Sequence, residues 1–196
     1  MSRAGALIAP ALLLVAGCSQ ESKEPEETPP TFHEVMKNEV DVRADLVWGV
    51  GNAAIGERGG INPAKMSDAD WDKLAEGATS LQQAALKIAT MDPIVVTRPG
   101  VKILDEDEPL GDKPVDIQAR FDKDPQTLRD MANGLATHAG DIAAAARSHD
   151  AARAGPLVDQ LDGVCENCHL TFWYPEERAF VEDFIRRGNA QSEHQQ

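Results

Sequence analysis

The chain has 196 residues, with 33 Asp and Glu against 19 Lys and Arg, so its formal net charge is -14. This length favours one domain, or one domain with appendages, and it can bury a core that folds alone. No stretch of the chain forms a basic stripe, which is the usual electrostatic footprint of proteins that bind DNA or RNA. We therefore expect no nucleic-acid partner.

The first 17 residues have the pattern of an export signal. Arg3 supplies a positive charge, and the apolar run from Ala4 to Ala16 is too short for a comfortable membrane span. The run ends in Val15-Ala16-Gly17-Cys18, which resembles the lipobox of bacterial lipoproteins. The resemblance implies cleavage before Cys18, a lipid on Cys18 and a location on the periplasmic side of a bacterial membrane. The alternative is an ordinary secretion signal followed by a coincidental cysteine.

Residues 18–31 are acidic and rich in proline, and they have no apolar face. This composition is typical of an extended, disordered tether. At roughly 3.4 Å per residue, such a tether would hold a small domain clear of a lipid surface. We therefore predict that the folded domain occupies residues 32–196.

Four stretches of that domain space their apolar residues by three and four, as amphipathic helices do. The first covers roughly residues 32–55, where Met36 and Val47 share one apolar face and Val42 widens it on one side. The second opens at Ser67-Asp68-Ala69-Asp70, a start similar to a capping box. The third begins at Asp124-Pro125, an N-cap with proline at the first helical position. The fourth begins between Asp150 and Pro156.

The segment between the second and third helices, residues 90–123, contains four prolines and the acidic run 105–108. We predict a long irregular loop there, because no second strand is available to pair with Ile94-Val95-Val96. After the fourth helix, a short helical tail starts at Pro175. The predicted fold class is all-α: an antiparallel four-helix bundle with a long loop between helices 2 and 3 and a short C-terminal helical tail.

Cys165-Glu166-Asn167-Cys168-His169 carries the clearest chemistry in the sequence. C-x-x-C-H is the attachment motif of c-type haem, in which two thiols bond one porphyrin and the next imidazole binds its iron. A thioredoxin-like pair would instead begin a helix after a strand, and a zinc site would need further ligands. We therefore predict one covalent haem c, held by Cys165 and Cys168, with His169 as the proximal iron ligand.

The motif lies near the C-terminus, on the last of four predicted helices, and no methionine follows it. This arrangement resembles the class II cytochromes c, the cytochrome c′ family, which are four-helix bundles. The resemblance covers the architecture of roughly residues 32–172, and its sharp identity is confined to Cys165, Cys168 and His169. The long loop and the tail depart from the compact form of the family.

The resemblance implies that the haem lies inside the bundle and that its far face meets the first helix. A methionine there binds the iron in low-spin members, and Met36 is the matching candidate. His33, one turn earlier, is a competing ligand, and a third reading leaves the iron five-coordinate while Met36 only fills a core gap. Arg43, two turns after Met36, is a candidate partner for a haem propionate, unless it extends to solvent.

These features predict an exported, lipid-anchored monohaem cytochrome that carries single electrons at a membrane surface and is not an enzyme. Its expected partners are a redox partner protein, the membrane through the lipid on Cys18, and a second copy of the chain in a homodimer. Two other functions stay open. One is a five-coordinate protein that binds a gas such as nitric oxide, and the other is an accessory haem lipoprotein of a respiratory complex.

Overall fold

The computed structural model describes residues 28–57, 59–104, 106–108 and 111–193, with side chains up to residue 187. The predicted signal peptide 1–17, the lipidation site Cys18 and the tether up to residue 27 lie outside the described residues. Of the helices that are described, none is both long enough and apolar enough to cross a membrane.

The described part of the chain is helical and contains no β-strand beyond one isolated bridge between Ile55 and Ile61. The predicted all-α class is therefore confirmed. In chain order the elements are α1 (Phe32–Val35), a π-helical turn (Met36–Val40), α2 (Asp41–Ala53), α3 (Asp68–Ala89), α4 (Pro114–Lys123), α5 (Pro125–Arg147), α6 (Ala151–Phe172) and α7 (Arg178–Glu193). Short 3-10 turns occupy Pro63–Lys65 and Pro175–Glu177.

The predicted helix starts are confirmed by their caps. The side chain of Ser67 accepts a hydrogen bond from the backbone N–H of Asp70, and the Asp70 side chain accepts from the backbone N–H of Ser67. The side chain of Asp124 accepts a hydrogen bond from the backbone N–H of Thr127 at the start of α5, and that of Asp150 accepts from the backbone N–H of Arg153 at the start of α6. Each cap satisfies an otherwise unpaired N–H of the first turn and contributes about 1 kcal/mol.

The first predicted helix is interrupted by the π-helical turn Met36–Val40. A π turn holds about one residue more than an α turn, so every later side chain is rotated by about 100° from its place in a regular helix. Val42, which was predicted to widen the apolar face, is therefore 48% exposed, whereas Ala44 and Val47 are buried. The prediction was wrong there because it assumed a constant 100° per residue.

The prediction of an irregular loop over residues 90–123 was wrong for its second half, where α4 forms. Pro114 occupies the first helical turn, and the Asp116 side chain accepts a hydrogen bond from the backbone N–H of Lys113. Ile117 and Phe121, four residues apart, are completely buried. Two apolar residues on one turn are too few to reveal a helical period, so the sequence pattern missed this helix.

The long helices contact one another in a closed order. α3 packs most extensively on α5, α5 also packs on α6, and α2 packs on both α3 and α6. Glycines allow two of these approaches: a Cβ at Gly77 would lie 2.2 Å from Leu46 Cδ2, and one at Gly51 would lie 2.7 Å from Val158 Cγ1. The core between the helices is built from completely buried aliphatic side chains, among them Leu74, Leu81, Leu128, Ile142 and Leu161.

The start of the first helix is tied to the loop that follows α3. The Glu34 carboxylate accepts hydrogen bonds from Arg98 Nε at 2.8 Å and Nη2 at 2.9 Å, and it also accepts from the backbone N–H of Thr31. These donors, with Arg98 first, lower the pKa of Glu34 from 4.5 to about 2. The backbone N–H of Phe32 donates to the Val95 carbonyl at 2.7 Å. The first turn of the helix is thereby fixed against the loop.

Gly155 provides a test of the contact between α6 and the segment 56–62. A Cβ at Gly155 would lie 2.8 Å from the backbone nitrogen of Ile61 and 3.1 Å from Gly60 Cα. These neighbours are backbone atoms, which cannot relieve the clash by changing rotamer as a side chain can. Gly155→Ala should therefore lower the free energy of unfolding by about 1–3 kcal/mol. Urea denaturation of the two proteins measures this difference.

Gly163 on the same helix is the matched control, since a Cβ there would meet nothing within 4 Å. Gly163→Ala should raise the free energy of unfolding by about 0.5–1 kcal/mol, because alanine is a better helix former than glycine. Equal effects of the two substitutions would contradict the packing described for α6.

Candidate functional site

A cavity of about 1070 Å³ lies between the first helix, α5, the C-terminal end of α6 and the loop before α4. Its size is slightly above the roughly 300–1,000 Å³ found for small-molecule and cofactor sites. Apolar side chains from all of these elements make most of its wall. Among them are Val40, Ala44, Leu128, Met131, Leu135 and Val164.

Cys165, Cys168 and His169 all line this cavity from the last turns of α6. The two thiols are free and half-buried. Burial raises the pKa of Cys165 to about 11, with nearby carboxylates adding to the shift. Burial also raises the pKa of Cys168 to about 12, with Cys165 adding to the shift. Both sulfurs are therefore protonated at neutral pH. Redox-active C-x-x-C pairs show the opposite behaviour, with the pKa of the attacking thiol lowered.

Burial also lowers the pKa of the His169 imidazole, which favours its neutral form. A neutral imidazole is the form that binds metal ions. His169 Nδ1 lies 3.2 Å from the hydroxyl oxygen of Tyr174, and that hydroxyl lies 2.8 Å from Glu166 Oε2. Within the described residues, Nδ1 is the ring nitrogen that has a hydrogen-bond partner. Burial, assisted by the Glu166 carboxylate, raises the pKa of Tyr174.

The first helix supplies the facing part of the wall. Met36 and His33, the two candidates for the sixth iron ligand, are both half-buried and both line the cavity. Asp41, Ala44 and Trp48 join them because the π turn brings positions 41, 44 and 48 onto the face of Met36. The sequence pattern missed Trp48, since a regular helix would turn it away from that face.

This donor set fits a c-type haem. Two uncharged thiols and one neutral imidazole share an apolar cavity large enough for a cofactor, and a methionine and a second histidine also line it. The described residues contain no group of three or more His, Cys, Asp or Glu that could hold a metal ion by themselves.

Comparisons with protein-family models, with curated proteins and with solved structures found no match. The case for a function therefore rests on the motif, the cavity and the packing around them.

Arg43 does not lie beside the other candidate site residues. It is half-buried and lies outside the cavity lining, because the π turn rotates it away from the face of Met36. In the described chain, the cavity-lining residues with ammonium groups are Lys37 and Lys102, and Lys102 Nζ donates to Asp107 Oδ2 at 2.6 Å. The contact of Arg43 with a propionate stays a prediction.

Proposed function

We propose that this protein is an exported monohaem c-type cytochrome that carries single electrons at a membrane surface. The observation that carries the proposal is that Cys165, Cys168 and His169 line the same apolar cavity as Met36. A bound haem would supply a one-electron iron couple. Cys165 and Cys168 would hold it by thioether bonds, and His169 would bind its iron from the α6 side.

The antiparallel four-helix bundle of the class II cytochromes c is part of this proposal. Two contacts support opposite directions for α3 and α5: Arg129 Nη2 donates to the Met91 carbonyl, and Arg147 Nη2 donates to Thr79 Oγ1. The first contact joins the start of α5 to the residues just after α3, and the second joins the end of α5 to the middle of α3. α2 and α6 complete the ring of contacts.

The protein's own contribution to electron transfer is a rigid, largely apolar surrounding for the iron. Completely buried side chains such as Phe121 and Leu128 pack beside the cavity and limit the entry of water. Burial and axial ligation are two of the means by which a protein sets the reduction potential of a haem. A fixed wall also keeps the ligand geometry similar in the oxidised and reduced states, so little rearrangement opposes electron transfer.

The location and partners follow from the N-terminal residues, which lie outside the described structure. We propose that Cys18 carries a lipid, that residues 18–31 form the tether, and that the domain works on the periplasmic side of a bacterial membrane. Without residues 1–17 the chain keeps 18 Lys and Arg against 33 Asp and Glu, and its net charge of -15 would steer a redox partner with a basic docking face toward it. A homodimer formed by a second copy of the chain belongs to the same proposal.

A redox titration followed by optical absorbance tests the function. The purified, exported protein should show one haem that is reduced and reoxidised reversibly with one-electron behaviour. Its spectrum should be low-spin in both states and unchanged by carbon monoxide. A high-spin spectrum that shifts on adding carbon monoxide would contradict electron transfer and favour the gas-binding alternative. Co-purification of a stable respiratory assembly after mild detergent extraction would favour the accessory role.

Met36→Leu tests the sixth ligand. We expect a change to a high-spin spectrum, a new response to carbon monoxide and a lower reduction potential, because the thioether raises the potential when it binds iron. The swap conserves volume and should cost less than about 1.5 kcal/mol of stability. Met131→Leu is the matched control, since Met131 also lines the cavity but belongs to α5. An unchanged spectrum in Met36→Leu would leave His33 as the candidate ligand.

A further inference from the structure

Tyr174 stands between the iron-ligand candidate His169 and the carboxylate of Glu166. The chain turns back after α6, and the backbone N–H groups of Trp173 and Tyr174 both donate to the His169 carbonyl, at 2.8 and 3.0 Å. This turn brings the half-buried Tyr174 ring beside the imidazole, with ring centroids 5.7 Å apart. Tyr174 is the only tyrosine of the chain.

Counting protons assigns a direction to the two hydrogen bonds. A tyrosine hydroxyl has one proton to donate, and a carboxylate can only accept. The proton of Tyr174 therefore goes to Glu166 Oε2 at 2.8 Å. The contact of 3.2 Å with His169 is then a hydrogen bond only if Nδ1 carries the ring proton and donates to the hydroxyl oxygen. In that tautomer the lone pair is on Nε2.

We propose that Tyr174 and Glu166 are positioning residues for His169: they hold its imidazole in the Nδ1–H tautomer and orientation that leave Nε2 to the iron. The proposal rests on the proposed function, because the role of His169 as iron ligand belongs to it. We call His169, Tyr174 and Glu166 the triad. Carboxylates that act on a ligating imidazole through its second nitrogen increase the basicity of the ligand. A more basic imidazole favours ferric over ferrous iron, so the triad lowers the reduction potential.

The surrounding contacts make the triad a fixed arrangement. Glu166 lies three residues before His169 on α6, one helical turn away on the same side. His169 Nδ1 is 3.8 Å from Glu166 Oε2, so the carboxylate reaches the ring through the hydroxyl and not directly. Arg178 Nη2 donates to Thr171 Oγ1 at 2.8 Å, which ties the start of α7 back to the end of α6. Tyr174 is thus fixed between the end of α6, which precedes it, and the start of α7, which follows it.

The reduction potential of the holoprotein tests the proposal in three variants. Tyr174→Phe removes only the hydroxyl and should raise the potential, by up to a tenfold change in the ferrous-to-ferric ratio, which is about 59 mV for one electron. Glu166→Gln should shift the potential in the same direction. The double variant should shift it no further than Tyr174→Phe alone, because the carboxylate acts through the hydroxyl.

Glu177→Gln is the control for charge alone. Glu177 also lines the cavity, but its side chain makes no hydrogen bond to Tyr174 among the described contacts. A potential that is unchanged in Tyr174→Phe, or that shifts equally in Glu177→Gln and Glu166→Gln, would overturn the triad while leaving the cytochrome proposal standing.

The ring nitrogens of His169 give a second readout that separates the two proposals. If the wild-type protein proves to carry no haem, the proposed function fails, and nitrogen-15 NMR of the imidazole then decides the triad alone. An Nδ1–H tautomer that is lost in Tyr174→Phe supports it. An Nε2–H tautomer in the wild type overturns it.

Discussion

The π-helical turn Met36–Val40 determines which side chains of the first helix face the cavity. In a regular helix, Arg43 would follow Met36 on that face; the extra residue puts Ala44 there instead. A methyl group in place of a guanidinium leaves the cavity open and its wall apolar. The same rotation brings Trp48 into the lining. π turns are rare and occur frequently at functional sites, which agrees with a candidate ligand, Met36, standing at the start of this one.

The apolar wall also determines the charge of the groups on α6. Burial raises the pKa of both motif thiols and lowers that of the His169 imidazole, so all three groups are uncharged at neutral pH. Charged forms would be costly in such a cavity unless each had a partner. Neutral thiols suit covalent attachment to a porphyrin better than thiol–disulfide exchange, which needs a thiolate. The apolar wall and the C-x-x-C-H motif therefore each support covalent attachment of a haem.

Much of the fold could be predicted because the signals are local. The caps at Ser67 and Asp124 are set by residues within one turn, and the all-α class follows from long helical periods. The π turn could not be predicted, because the apolar spacing of residues 32–55 does not reveal an extra residue, and the predicted orientation of Val42 was wrong as a result. The contact of Tyr174 with His169 depends on how the chain turns after α6, which no spacing in the sequence reveals.

In the proposed cytochrome, Cys165 and Cys168 hold one haem through two thioether bonds. Mass spectrometry of the proteolytic peptide that contains residues 165–169 tests it most directly, using protein exported by a bacterium that attaches c-type haem. We predict a peptide heavier by the mass of one haem, which returns to the unmodified mass in the variant carrying both Cys165→Ala and Cys168→Ala, corrected for the two substitutions. A wild-type peptide with free thiols or a disulfide would contradict the account.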